Sequence, residues 1–250
     1  MQSTTPPRFG EKVKDFKNTP ETGRKLVIAI DGPAASGKST TAKLVAERLG
    51  YMHVDTGAMY RAITLKVLRS GLAPDDRAGI TRLLDMTRVQ LRDERGTLRV
   101  LLDGRDVTEE IRTPEVTRAV SAVSSLPEVR EVMVREQRAL GSNGGIVLEG
   151  RDIATVVFPD ADCKFFLIAD LGVRAERRLR ELCAQGVSAD LEDLKKEIGE
   201  RDRFDSTRAV SPLRKAADAV EIDTSDMTIE QQVDVVVRSV RERLKQSGGS

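Results

Sequence analysis

The sequence predicts an α/β fold, a five-stranded parallel sheet flanked by helices, and three observations predict it. Five short apolar runs, at residues 26–30, 52–54, 145–148, 163–168 and 219–222, have the length and composition of buried parallel strands. Most of them lead into a helical pattern: residues 32–49 after the first, 173–184 after the fourth and 229–244 after the last. The first of these junctions is rich in glycine. Strand followed by helix, repeated, implies right-handed crossovers and a doubly wound sheet, with ligands beyond the carboxyl ends of the strands.

Taken in order, residues 1–24 are polar, contain Pro6, Pro7 and Pro20, and show no period, so they are expected to form a flexible extension outside the fold. A single domain is expected over 25–250, ending in the frayed Gln246-Ser-Gly-Gly-Ser250. Within it, 72–114 breaks the strand–helix rhythm. A helix over 80–87 is followed by Val89-Gln-Leu-Arg92, a turn at 93–96, Leu98-Arg-Val-Leu-Leu102, a turn at Asp103-Gly104, and Val107. These short alternating stretches predict a small antiparallel meander inserted into the α/β domain. A helical run over 115–124 follows it.

Composition excludes several classes of function. Across 250 residues, 41 Lys and Arg nearly balance 40 Asp and Glu, so no field of one sign is available to gather a nucleic-acid polymer or an anionic membrane. No apolar run approaches the ~18 residues of a membrane span, and a soluble, cytoplasmic protein is expected. Cys163 and Cys183 lie far apart in sequence and there is one histidine, His53, so neither a disulfide framework nor a zinc site is expected.

Gly32-Pro-Ala-Ala-Ser-Gly37-Lys38-Ser39 satisfies GxxxxGK[ST] between an apolar strand and a helix, where the chemistry of a phosphate-binding loop requires it. The glycines allow successive N–H groups to point inward, so that Gly32, Pro33, Ala34, Ala35, Ser36, Gly37, Lys38, Ser39 and Thr40 cradle the phosphates of ATP. Lys38 should reach the β- and γ-phosphates, and the Ser39 hydroxyl should ligate Mg²⁺. The guanine-reading NKxD of a GTPase is missing. A motor ATPase would carry a strand ending in Asp-Glu, whereas the third strand here ends in Leu148-Glu-Gly-Arg151-Asp152.

Six segments in one order carry a more specific signal. They are Ile30-Asp-Gly-Pro33, Asp55-Thr-Gly-Ala-Met-Tyr-Arg61, Ile111-Arg-Thr-Pro-Glu-Val116, Leu148-Glu-Gly-Arg-Asp152, Val156-Val-Phe-Pro-Asp-Ala161 and Arg208-Ala-Val-Ser-Pro-Leu213. Through them the chain resembles bacterial cytidylate kinase over about residues 25–244. The resemblance implies a P-loop core (25–60, 131–199 and 214–245), a nucleoside-monophosphate-binding lobe (about 61–130) that contains the meander, and a short lid (about 200–213). It implies transfer of the terminal phosphoryl group of ATP to CMP or dCMP. Arg61, Arg201 and Arg208 then contact the acceptor phosphate, with Arg208 near the transferring group. Ser121, Arg130 and Asp152 line the cytosine pocket beside Arg151, and Thr56 and Asp205 help with phosphate or ribose.

Physical chemistry agrees with that assignment. An acceptor phosphate near two negative charges at neutral pH is already a nucleophile and needs no general base. His53, inside the second strand, is expected to pack rather than catalyse. Two polyanions held in line demand cations, and arginines stand at Arg61, Arg151, Arg201 and Arg208. Cytosine offers an amine beside two acceptors, which suits a carboxylate together with a cation.

Bland readings stand beside these. Arg174, Arg177 and Arg178 read as solvated arginines on one helix face, although Arg174 can reach the phosphates from the helix start. Asp152 can be a strand-end cap and Ser121 an exposed polar position. Asp31 and Asp55 serve either Mg²⁺-bound water or the ends of their strands, and Phe204 is expected to pack the lid. A kinase for UMP, AMP or another small acceptor, or a non-catalytic nucleotide sensor, are the rival functions. A monomer is expected.

Overall fold

The computed structural model describes residues 25–94, 97–184 and 186–247. The extension at 1–24 and the residues between the first two meander strands, 95–96, lie outside the described residues. The chain forms, in order, β1 (Val27–Asp31), α1 (Lys38–Leu49), β2 (Met52–Asp55), α2 (Thr56–Arg69), α3 (Arg77–Leu84), β3 (Val89–Glu94), β4 (Thr97–Leu102), β5 (Arg105–Asp106), α4 (Pro114–Ser125), α5 (Pro127–Gly141), β6 (Ile146–Gly150), β7 (Cys163–Ile168), α6 (Leu171–Ala184), α7 (Leu191–Thr207), β8 (Val220–Asp223) and α8 (Ile229–Ser247). Two compact units result: Ala58–Asn143, and the described residues up to Gly57 together with those from Gly144 onward.

The five predicted apolar runs pair in parallel in the larger unit, in the order β2-β6-β1-β7-β8. The central strand β1 has β6 on one side and β7 on the other, so its carboxyl end lies where the strand order reverses and a crevice must open. Its side chains Ile28 and Ile30 are fully buried against Val45 and Ala46 of α1 and against Val233, Val236, Val237 and Val240 of α8. The spacing of those four valines is the i, i+3, i+4, i+7 stripe of a helix with one buried face. Beside this core, α6 and α7 pack on each other through Ala175, Leu194 and Ile198.

In the smaller unit, β3 and β4 pair antiparallel with Leu91 opposite Val100, and β5 pairs antiparallel with β4. Val116, Val120 and Val123 form the buried stripe of α4, and α4 and α5 each begin on a proline, whose missing N–H leaves no intrahelical bond unmade.

Three local expectations shift. The helix expected over 32–49 starts at Lys38, because Gly32 to Gly37 remain a loop with left-handed residues. The helix expected over 80–87 lies earlier, because the Asp76 side chain accepts the Gly79 N–H at 2.9 Å and caps the first turn. Of the expected lid, about 200–213, the part up to Thr207 forms the last turns of the 17-residue α7. Among the described residues no helix is long and apolar enough to cross a membrane.

Candidate active site

The loop between β1 and α1 is held from outside by its carbonyl groups. Pro33 O accepts from Lys38 Nζ at 3.1 Å, Ala34 O from Arg174 Nη1 at 3.1 Å, and Ser36 O from the buried Thr224 hydroxyl at 3.0 Å. In a trans peptide the C=O and the following N–H point in opposite directions, so anchoring a carbonyl aims the next N–H away from the anchor. Arg174 thereby aims the Ala35 N–H and Thr224 the Gly37 N–H. Ala35 (φ 57°) and Gly37 (φ 87°) are left-handed, the backbone alternation that gathers N–H groups into an anion nest. For a non-glycine residue such as Ala35 that conformation costs about 1–2 kcal/mol. Gly32 is required by proximity, since an added Cβ would strike the Leu167 carbonyl of β7. One turn into α1, the buried Thr41 hydroxyl donates to Gln232 of α8 at 2.8 Å.

Lys38 is buried at the mouth of this nest. Burial, then the nearby charge of Arg151, pushes its ammonium down to about 7, with Glu149 opposing and Arg201 adding to the shift. Glu149, on β6, was not singled out from the sequence. It is 2% exposed, accepts a short hydrogen bond from the Ser39 hydroxyl, and lies 3.1 Å from His53 Nε2. Burial alone would raise this carboxyl, but the hydrogen bond to His53 and the Lys38 charge outweigh it and hold it below the usual carboxylate range. The available signal was a lone carboxylate in an otherwise apolar strand, a placement that demands a partner. His53 is thus bonded to the site by way of Glu149 as well as packed.

Beyond the carboxyl end of β6, the larger unit brings together Arg151, Asp152, Arg201, Asp205 and Arg208. Arg151 Nε pairs with Asp205 Oδ2 at 2.8 Å. Arg208 caps the end of α7, donates through Nε to Ser211 O at 2.7 Å, and lies 3.7 Å from Asp152 Oδ1 and 3.9 Å from Asp205 Oδ1. The Arg201 guanidinium is pushed below its usual value, first by burial and then by Arg151, and its Nε has no hydrogen-bond partner among the described residues. Thr56, at the start of α2, donates its hydroxyl to Glu149 O at 2.7 Å. Phe204, beside this group on α7, is 39% exposed.

Asp31 organises the region after β6. Fully buried at the end of β1, it accepts the N–H groups of Ile153 at 2.9 Å and Ala154 at 2.8 Å, one on each oxygen. These two residues open a π-helical turn, Ile153–Val157, directly after Arg151 and Asp152. A π turn is rare and concentrates at functional sites. Both Asp31 oxygens are therefore engaged by backbone, which favours the strand-end reading over a role in holding metal-bound water.

Of the helix-face arginines, Arg178 pairs with Glu181 at the surface, Arg177 donates to Thr224 O, and Arg174 is buried, contrary to the solvated reading.

In the smaller unit, Arg61 donates to Thr117 Oγ1 at 2.8 Å and Ile111 O at 3.3 Å. Arg130, 3% exposed, stacks over the Tyr60 ring at 5.3 Å and donates to Ser124 O at 3.3 Å, while Ser121 is half-buried on α4. The residues expected to act on the acceptor are thus divided: Arg61, Ser121 and Arg130 here, and Arg151, Asp152, Arg201, Asp205 and Arg208 in the larger unit.

The family model described as cytidylate kinase matches residues 28–242. A cytidylate kinase of Pelotomaculum thermopropionicum is 54% identical over 214 residues, covering 85% of this chain and 95% of its own. One from a Geobacillus species is 53% identical over 218 residues, covering 87% and 97%, and one from Chloroherpeton thalassium is 55% identical over 217 residues, covering 84% and 91%. With a family model spanning most of its length and relatives sharing about half of its residues, this chain belongs to the cytidylate kinase family.

Proposed function

We propose that the protein transfers the terminal phosphoryl group of ATP to CMP or dCMP, giving ADP and CDP or dCDP. The observation that carries the reading is the collection of buried positive charge beside the P-loop nest. Burial, and after it the charge of Arg151, pushes both Lys38 and Arg201 below their usual values, which an arriving polyanion would relieve. The nest amides and Lys38 take the donor phosphates. Arg201 on α7 and Arg208 at its C-terminal cap stabilise the charge on the transferring group, and Arg61 supplies a further cation toward the acceptor phosphate. Cations arranged in this way lower the barrier by positioning and electrostatics.

No residue need remove a proton, because the acceptor oxygen is already ionised. His53 is bonded to Glu149 and is not assigned that task. Selectivity for cytosine follows from the acceptors and donors on each unit. Asp152 accepts from the exocyclic amine, while Arg130 and Ser121 offer donors to the ring. With UMP the acceptor oxygens of Asp152 would face a carbonyl oxygen, a mismatch that a polar pocket rejects strongly. Thr56 and Asp205 assist with ribose or phosphate.

The Ser39 hydroxyl and the Glu149 carboxylate, both hard oxygen donors at the mouth of the nest, suit Mg²⁺, Ser39 as ligand and Glu149 through water. When bound, Mg²⁺ neutralises charge on the β- and γ-phosphate oxygens. We assign small-molecule partners only, a monomer and a cytoplasmic site of action; the near balance of charges supports the absence of a nucleic-acid polymer. A coupled assay of ADP release with CMP, dCMP, UMP and AMP tests the reading. CMP and dCMP should be turned over and AMP should not. Turnover with none of the four would leave a nucleotide sensor, and preference for AMP or UMP would overturn the base assignment.

A further inference from the structure

We propose that Arg174 is a positioning residue that couples the phosphate nest to the helix carrying Arg201, an inference that rests on the kinase reading. Arg174 lies in the first turn of α6, and its side chain is nine-tenths buried. Its guanidinium meets three segments at once. Nε donates to Ala169 O, just past β7, at 3.0 Å; Nη1 donates to Ala34 O of the P-loop at 3.1 Å and to Asp202 Oδ2 of α7 at 2.5 Å. The guanidinium is a rigid planar fork, so a partner fixed on one nitrogen restricts where the others can sit. The Ala169 carbonyl, one residue past the carboxyl end of the interior strand β7, is the fixed point.

Each of the other two contacts controls an atom that matters. Holding the Ala34 carbonyl turns the Ala35 N–H to the opposite side of its peptide plane, into the nest, at a residue whose left-handed φ needs an external restraint. Holding Asp202 fixes the turn of α7 that also bears Arg201, the buried guanidinium whose Nε lacks a hydrogen-bond partner among the described residues. The other Asp202 oxygen is likewise buried and without a hydrogen-bond partner there, so Arg174 is what orients this carboxylate. Apolar packing of Ala175 on Leu194 and Ile198 joins α6 to α7 in any case. What Arg174 adds is a polar link from that pair of helices to one peptide of the nest. Strain at the nest and the aim of Arg201 are thereby made interdependent.

The test uses the full chain with Arg174→Met, Arg174→Lys, Asp202→Asn and the Arg174→Met/Asp202→Asn double variant. Three quantities are measured: ADP affinity by titration calorimetry without acceptor, kcat with CMP, and the thermal midpoint. Arg174→Met should weaken ADP and lower kcat by about tenfold each, the loss of one buried charge-assisted contact. Asp202→Asn should lower kcat and leave ADP affinity within about twofold, because it touches only the α7 side. The double variant should be no worse in kcat than Arg174→Met alone. Arg174→Lys keeps a charge for Asp202 but not the fork, and should recover kcat more than ADP affinity.

Wild-type ADP affinity in Arg174→Met, or losses in kcat that multiply in the double variant, would overturn the coupling. Should Arg174→Met fail to fold, an unchanged kcat in Asp202→Asn overturns it equally. Absence of CMP turnover by the wild type would sink the kinase reading instead, while the ADP arm still decides whether Arg174 sets the nest.

Discussion

Replacing Asp31 by Asn isolates the clamp between β1 and the turn after β6. The carboxyl group is 1% exposed, and burial, acting against the two backbone N–H groups it accepts, pushes it from an ordinary 3.8 up to about 6. A raised carboxyl binds its proton more tightly in the folded chain than in the unfolded one. Its stabilising contribution is therefore complete below the unfolded value and is lost as pH rises through the folded one. The gap of roughly two pH units corresponds to about 3 kcal/mol in all, with about 2 kcal/mol lost between pH 4.5 and 7.5. Asn cannot titrate, and it offers one acceptor oxygen to two N–H groups, leaving one unmet at a cost of about 1–3 kcal/mol.

The stability of wild type relative to Asp31→Asn should therefore fall by about 2 kcal/mol from pH 4.5 to 7.5 and then level off. Urea unfolding of both proteins at several pH values reads that difference directly. A difference that stays flat, or that grows in favour of wild type with pH, would refute the reasoning. It would mean that the two N–H bonds outweigh burial. Because the clamp holds the backbone directly after Arg151 and Asp152, the same variant should raise the KM for CMP by more than that for ATP.

Asp152→Ala should reduce kcat/KM for CMP by at least about a hundredfold while ADP affinity, read by calorimetry, changes little; equal losses for both ligands would remove Asp152 from the base pocket. Arg208→Ala should act mainly on kcat, since the charge it meets develops during transfer, and steady-state kinetics with CMP would exclude it from catalysis by returning a wild-type value. Glu149→Gln frees Ser39 from its ionised partner and should raise the Mg²⁺ concentration needed for half-maximal rate about tenfold, checked by metal titration at saturating nucleotide. Gly32→Ala should destabilise the fold by about 1–3 kcal/mol through the clash with the Leu167 carbonyl, seen as a lower thermal midpoint.

Much of this protein is determined by local sequence. The five apolar runs, the helical periods behind them and the glycine-lysine-serine loop specify strands, helices and a phosphate cradle, because hydrophobic period and φ preference act over a few neighbouring residues. Arg151, Asp152, Arg201, Asp205 and Arg208 are nominated through the resemblance to cytidylate kinase, which is carried by segments along the whole chain rather than by local period.

Tertiary structure alone decided which of these groups meet. Glu149 reads as one more residue of a strand until the register of β6 beside β2 brings it to His53, and the start of α1 brings Ser39 to it. Arg174 reads as a solvated helix arginine until three segments far apart in sequence turn their acceptors toward it. Asp31, open between metal and strand end in the sequence, accepts two amides more than 120 positions away, which favours the strand end. Burial and long-range partners set the ionisation and orientation of such groups, and neither is encoded in the residues next to them.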